Sequence, residues 1–355
     1  EILAEVLSSR CDGADVAFSC SEAWTGVFRE VLGVEATPAA EWVRRRRRGG
    51  EAVAGPAAWL SIARRDGAVA VSRTAPFEAI DDKADLARAL RQAGLEWAAP
   101  RSRVVSHDGS DARSPVEGGD VVLKPANGYG GEGIVVCGSL EDAVERIRAA
   151  AALAAELPFR EESARREWVV QERIEVARVN GRPTHLRTYV VWHRGRAWIY
   201  VADHEVRVGR PGSFATNGNA GAERLLLSDA LPDVASRLAA FVASLCRHLL
   251  PARCDATFAV AAVDTVLAAE SGCLKLLEFN VNPAAPDKSS CSPRFWAHLT
   301  TFAAALVALV LDNAAPPAVF VPAADLDRAD PERRTRVDPR ESGRAPERLR
   351  SRNSE

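Results

Sequence analysis

The sequence predicts an α+β fold in which helices and antiparallel sheets are layered together. Two stretches read as β-hairpins: "HLRTYVVWHRGRAWIYVADHEVRV" (185–208), turning at "HRGR", and "ATFAVAAVDTVLAAESGCLKLLEFNVNP" (256–283), turning at "ESG". Helical patterns lie between and around them. The order of elements lacks the regular βαβ rhythm of a doubly wound sheet, which points to α+β layering.

The elements follow in chain order. Residues 1–105 mix short apolar runs such as "DVAFSC" and "GAVAVS" with helical patterns, and are expected to form a smaller α/β N-terminal subdomain. There is no methionine anywhere, position 1 included, so that subdomain is expected to be truncated at its start. The clearest helix is "DKADLARALRQAGL" (82–95), with apolar positions at 86, 89, 90 and 93, a Gly94 stop, and Asp81 or Asp82 to cap its start. The polar connector "SHDGSDARSPVEGGD" (106–120) marks a subdomain boundary. A central unit (106–175) follows, with strand "DVVLKP", a loop, strand "GIVVCG", a helix at 139–157 and strand "EWVVQERIE" (167–175). A third unit (176–312) holds the two hairpins, a helix over about 232–250, and the apolar segment "FAAALVALVL" (302–311), too short to span a bilayer and read as a core helix. Residues 313–355 turn rich in Pro, Arg, Asp and Glu and are expected to be disordered.

Composition narrows the function. At 355 residues, 47% hydrophobic and 26% charged, the chain is long enough for two or three units with a buried core. A net charge of −2 gives no global field toward nucleic acid or membrane, and neither is expected as a partner. The run Arg44–Arg48 is the exception, read first as a solvated loop and second as an anion-binding patch suited to an acidic tail. Seven scattered cysteines, none spaced as CxxC, speak against a zinc site or a disulfide framework and for a reducing, cytoplasmic compartment.

Chemistry concentrates in two places. Of 46 lysines and arginines, only Lys83, Lys124, Lys275 and Lys288 are lysine, leaving 42 arginines. Lys124 ends an apolar strand just before "PANGYGGEG", whose glycines at 128, 130, 131 and 133 reach the positive-φ conformations that turn backbone N–H groups toward one anion. This is neither a Walker loop nor a dinucleotide fingerprint, since no helix follows directly. A glycine flap over phosphates fits the order, and so does a plain glycine-rich hairpin with a surface lysine. Downstream, alternation in "KLLEFNVNP" puts Glu278, Asn280 and Asn282 on one strand face, opposite Leu277, Phe279 and Val281. Their oxygens, with Asp264 on the preceding strand, are hard ligands suited to Mg²⁺.

These pieces, in this order, resemble the ATP-grasp fold, and specifically the tubulin–tyrosine ligase family of amino-acid ligases. The stretches that carry the resemblance are "VVLKPANGYGGEGI", "WVVQERIE", "HLRTYVVW", Arg207 twenty residues beyond Arg187, "FATN" (214–217) and "AVDTVL…LKLLEFNVNPAAP". The resemblance implies antiparallel sheets and helices enclosing a nucleotide cleft, with ATP and Mg²⁺ as cofactors. It implies that Lys124, and more loosely Lys83, contact the nucleotide, with Gly130, Gly131, Gly133 and Ile134 in the flap. Gln171 and the backbone of Glu172–Ile174 would read the adenine edge, and Thr216 and Asn217 would touch the phosphates. Arg187 would neutralise the transferring phosphoryl group and Arg207 would orient a substrate carboxylate. Asp264, Glu278 and Asn280 would carry the metal. The slot under a tight flap favours a compact ammonium over a planar guanidinium, which accounts for a lysine at 124 in so arginine-rich a chain.

The implied activity is an ATP- and Mg-dependent carboxylate–amine ligase. It would add a free amino acid to the acidic tail of a protein such as tubulin, through an acyl phosphate, in association with the cytoskeleton. The alternatives are an ATP-grasp small-molecule kinase of the inositol-phosphate type, or a catalytically degenerate nucleotide-binding scaffold. Two departures bear on these: Pro183 and His185 stand where that family carries a lysine and an acidic residue, and the segment between Arg207 and "FATN" is shorter than is usual there.

Overall fold

The computed structural model describes residues 14–18, 24, 27–28, 37–38, 60–64, 69–71, 75–112, 119–127, 131, 133–155, 167–214, 216, 221–251, 258–281, 283, 285–286, 288–311 and 318–328. The Arg44–Arg48 run, Gly130, Asn217, Asn282 and most of the C-terminal tail lie outside them. Helices and mainly antiparallel sheets make up the described fold, as the α+β reading expects.

Three sheets are present among the described residues. The first, order β2-β1-β3-β4, joins β1 (Ala14–Phe18), β2 (Thr37–Pro38), β3 (Leu60–Arg64) and β4 (Val69–Val71). Helix α1 (Lys83–Gln92) follows; Asp82 caps it by accepting from the N–H groups of Ala84 and Asp85. The second sheet, order β5-β8-β6-β7, is antiparallel throughout. It contains β5 (Ser102–Val105), β6 (Val121–Pro125), β7 (Val135–Cys137) and β8 (Trp168–Glu172). Helix α2 (Leu140–Ala155) covers one face, packing Ala143 and Ile147 against Val121, Leu123 and Val170. Alternation therefore sends Val122, Lys124 and Gln171 to the other face.

The third sheet is built around the twelve-residue β10 (Arg182–His193). Two turns with paired left-handed residues fix its ends: Asn180–Gly181 (φ 51° and 75°) after β9 (Arg178–Val179), and Arg194–Gly195 (φ 50° and 77°) before β11 (Arg196–Tyr200). Such pairs match the twist of the flanking strands. On one side β10 pairs with β12 (Glu205–Val208) through its first half and with β11 through its second. Beyond β12 lies β13 (Glu223–Leu226). On the other side β10 pairs over eight residues with β14 (Phe258–Leu267), which pairs with β15 (Leu274–Val281). Helix α3 (Ala235–Leu249), together with α1, covers one face, where Leu238, Val242, Leu86 and Leu90 meet Leu186, Val190, Val263 and Phe279. Helix α4 (Pro293–Leu311) covers half of the other face, where Phe302 stacks on Tyr189 at a 4.5 Å centroid distance. Each large side chain so buried contributes about 1.5–3 kcal/mol.

Three expectations need correction. Strand β5, placed before the expected boundary at 106–120, is the edge of the β6–β8 sheet, because its backbone completes the ladder beside β8. The 313–355 segment is not disordered throughout. Residues Phe320–Pro322 form β16 on the free edge of β11, and Ala323–Arg328 form helix α5, with Ala323 in the α3 core. Few apolar residues are needed there, since the open edge of β11 supplies hydrogen bonds that no periodicity announces. Finally, α4 is longer than "FAAALVALVL" and is apolar enough by length and composition to cross a membrane. Yet 72% of the relevant window is buried inside this fold, which makes it a core helix.

Candidate functional site

The half of the third sheet that α4 leaves open faces the bare side of the second sheet. Between them lies a cavity of about 350 Å³. On β10, alternation turns His185 and Arg187 to this side. Register then sets Glu205 opposite Arg187 on β12, Asp264 opposite it on β14, and Glu278 opposite Asp264 on β15. A single row thus reads Glu205, Arg187, Asp264, Glu278 across four adjacent strands.

Arg187 donates from Nε and Nη2 to both carboxylate oxygens of Asp264, at 2.7 and 2.6 Å, a bidentate fork with both partners buried. Burial would lower the arginine's pKa, but Asp264 more than offsets it, so the guanidinium stays charged with its pKa raised. The same pair governs Asp264. Burial pushes its carboxyl up, and the Arg187 charge overcomes that and holds it below its ordinary value. Glu205 is 1% exposed; its Oε1 accepts from Arg207 Nε at 2.7 Å. Arg224 Nε lies 3.2 Å from the same oxygen, near enough to neutralise it without a well-directed hydrogen bond. Against the upward push of burial, Arg207 and Arg187 hold Glu205 down at about 2.

His185 is tied through Nδ1 to Thr216 Oγ1 at 2.7 Å, and its Nε2 is buried without a hydrogen-bond partner, 3.9 Å from Asp264 Oδ1. Burial lowers its pKa to about 3, so the ring is neutral.

The opposite wall carries the lysines. Lys124 is the last residue but one of β6, 8% exposed, and burial lowers its pKa to about 8 despite the Glu278 charge nearby. Lys83 opens α1, whose first N–H bonds the Ala126 carbonyl at the foot of the glycine loop. Its Nζ lies 3.1 Å from Glu278 Oε2. Gly131 and Gly133 have φ of 81° and 73°, a conformation that calls for glycine, and a Cβ at Gly133 would be a tight 3.1 Å from Pro125 Cγ. Glu172 turns its carboxylate to Arg101, at 2.7 Å from Nε.

The structure brings most of the expected residues together. Lys83, Lys124, Gly131 and Ile134 line the cavity, as do Gln171, Glu172 and Ile174 on the connecting segment. So do Arg187, Arg207 and Thr216, and the oxygen donors Asp264, Glu278 and Asn280. Gly133 shapes the loop without lining the cavity. Leu277 departs from the expected face. An irregularity in the β14–β15 ladder makes Thr265 pair with Leu276 while Asp264 pairs with Glu278, leaving Leu277 as an extra residue. Leu277 therefore lines the cavity beside Glu278, while Leu276 and Phe279 both reach the α3 core. Sequence reasoning missed Glu205 and Arg224. The strand "HEVRV" held a sign of the first, since alternation puts Glu205 and Arg207 on one face.

The residues present fit a nucleotide and a divalent cation. Six basic and four acidic side chains line the cavity, a net of two positive charges for a polyphosphate. Among the described residues no group of three or more His, Cys, Asp or Glu forms a metal cage. Two carboxylates and the Asn280 amide suit instead an ion that takes its remaining oxygens from phosphate and water.

Two facing sheets that bring lysines beside Gly131 and carboxylates on a hairpin to one cavity define an ATP-grasp protein. The model of the YheC/D-like ATP-grasp family matches residues 80–295, more than half of the chain, and the chain belongs to that family. No curated protein matches it. ATP-grasp proteins are in general ATP-dependent ligases and kinases, and most use Mg²⁺ or Mn²⁺.

Proposed function

We propose that this chain is an ATP-dependent carboxylate–amine ligase. The observation that carries the reading is the convergence on one cavity of Lys83 and Lys124 from one wall with Arg187, Arg207, Asp264 and Glu278 from the other. ATP, held with Mg²⁺, supplies the phosphoryl group that turns a substrate carboxylate into an acyl phosphate open to attack by an amine. The protein's part is alignment and charge neutralisation. Lys124 and Lys83 hold phosphate oxygens, with Gly131 beside them in the cavity lining. Asp264, Glu278 and Asn280 hold the metal. Arg187 offsets charge on the transferring group. Arg207, with Nε fixed on Glu205, keeps its terminal nitrogens for the substrate carboxylate.

The finer reading is that an amino acid is joined to the acidic tail of a protein such as tubulin. It rests on the tubulin–tyrosine ligase-like order of the motifs. His185, neutral where that family carries an acid, marks the acceptor side as the place where this chain differs. The test is incubation with Mg-ATP, labelled amino acids and acceptors: tubulin, a poly-glutamate tail peptide, and small carboxylic acids. Label transfer with ADP release supports the ligase, and transfer to tubulin or the tail peptide supports the finer reading. ADP formed with a phosphorylated polyol and no amine present makes it a kinase.

A further inference from the structure

Each carboxylate assigned to the metal is already taken, and by a cation assigned to the phosphates. Asp264 gives both oxygens to Arg187 at 2.7 and 2.6 Å, and Glu278 lies 3.1 Å from Lys83. The first pair is 2% and 6% exposed at its side chains, the second 10% and 31%. The two halves of the binding machinery neutralise one another.

We infer that this site takes the metal–polyphosphate complex as one ligand, by an exchange of ionic partners, and binds each component alone only weakly. The inference rests on the proposed nucleotide reading. A cation arriving by itself must draw Asp264 away from Arg187, leaving a guanidinium buried with its main counter-charge gone. A polyphosphate arriving by itself draws Arg187 and Lys83 away and leaves two carboxylates beside the incoming anion. Stripping one partner from the buried Arg187–Asp264 pair is strongly unfavourable because the remaining charge has no water to turn to, and the cost is smaller at Lys83–Glu278, where Glu278 is partly exposed. When both arrive together, the carboxylates pass to the cation and the cations pass to the phosphates. Every buried charge then keeps an opposite neighbour. The net of two positive charges on the cavity wall matches this, since a divalent cation cancels about two of a triphosphate's negative charges. Lys83 and Arg187 are thus placeholders as well as phosphate ligands.

The experiment uses the full chain, Mn²⁺ read by electron paramagnetic resonance, and a non-hydrolysable ATP analogue read by calorimetry. In the wild type, Mn²⁺ alone and the analogue in EDTA bind weakly. Each gains on the order of a hundredfold when the other is present, beyond the affinity of the two for each other in solution. Lys83→Gln and Arg187→Gln free one carboxylate each, so both variants bind Mn²⁺ alone about tenfold or more tighter than wild type. In Arg187→Gln, Mn²⁺ alone also raises the melting temperature more than it does in wild type. Lys83→Gln, at a helix start, keeps the test open if Arg187→Gln does not fold. Equal Mn²⁺ affinity in wild type and variants overturns the exchange while leaving nucleotide binding intact. Absence of analogue binding at any Mn²⁺ concentration overturns the nucleotide reading and this inference with it.

Discussion

One face of the third sheet carries two surfaces of opposite character, made by the same strands. On β10, Tyr189 and Arg187 are two residues apart and point the same way. Tyr189 packs among Trp24, Phe302 and His298 under α4, while Arg187 sits in the charged row of the cavity. On β14, Phe258, Val260 and Ala262 belong to the α4 core, and Asp264 continues the same alternation into the cavity. The pleat does not change along the strand; its cover does. Where a helix lies on the sheet, the side chains are apolar and hold it. Where the second sheet faces it across a gap, the buried charges of the row are held by charges on their own or a neighbouring strand.

The boundary between the two surfaces is imperfect, and that is instructive. Tyr189 Oη, His298 Nε2 and Glu205 Oε2 are buried without partners. Burial, with Glu205 second, pushes the Tyr189 phenol up, so the hydroxyl stays protonated. These three atoms are half of the six buried side-chain atoms without a hydrogen-bond partner among the described residues; the others are His185 Nε2, Trp198 Nε1 and Arg224 Nε.

The comparison is tested hardest by making the charged half resemble the covered one. Arg187→Leu leaves Asp264 buried without its fork and is expected to cost about 3–5 kcal/mol of stability. The double change Arg187→Leu with Asp264→Leu should restore most of it, because the buried charge disappears with its partner. Chemical denaturation of both variants checks this; a double variant no more stable than the single one would show that the pair is needed for the fold itself. Next in size, Lys124→Gln removes a buried charge, leaving stability unchanged or higher. It should weaken binding of the Mg-bound ATP analogue by about 2 kcal/mol, roughly 30-fold, measurable by calorimetry.

A smaller effect follows from pH. Burial depresses Lys124 to about 8, so its charge is lost as pH rises through that value. Affinity for the Mg-bound analogue should fall between pH 7 and 9, by at most about tenfold per unit above 8. Lys124→Arg, charged throughout, should lose that part of the pH dependence. The sign for stability is opposite. Below 8 the folded chain holds a buried ammonium, and that penalty is relieved as pH climbs toward 10.5, where the unfolded chain also loses the proton. The smallest effect is at the boundary between the two surfaces, where Tyr189→Phe deletes an unpartnered hydroxyl and should raise stability by up to about 1 kcal/mol. A loss on thermal melting would mean that the hydroxyl has a partner.

Much of the site was legible in the chain. Lys124 stood out because a lysine is rare here and because the strand before it is wholly apolar, a place where a charge needs a purpose. Alternation in "KLLEFNVNP" announced Glu278 and Asn280 correctly and failed at Leu277, because one extra residue shifts a two-residue period and leaves no mark in composition. Glu205 was overlooked because it carries no motif. Its role comes from standing between two arginines, one on its own strand and one on the next. Strand β16 was unreadable because three residues are too few for any period, and the edge it completes lies more than a hundred residues earlier.

The sequence by itself determined the side of the strand for most site residues, where most helices and turns fall, and that a lysine, two arginines and oxygen donors recur in an ATP-grasp order. These are local matters, set by backbone periods and by the conformations that glycine and asparagine permit. Only the tertiary structure decided the partners: Arg187 with Asp264 across 77 residues, Lys83 with Glu278 across nearly two hundred. Charge pairing depends on distance and on the removal of water, and both are fixed only when remote strands are laid side by side.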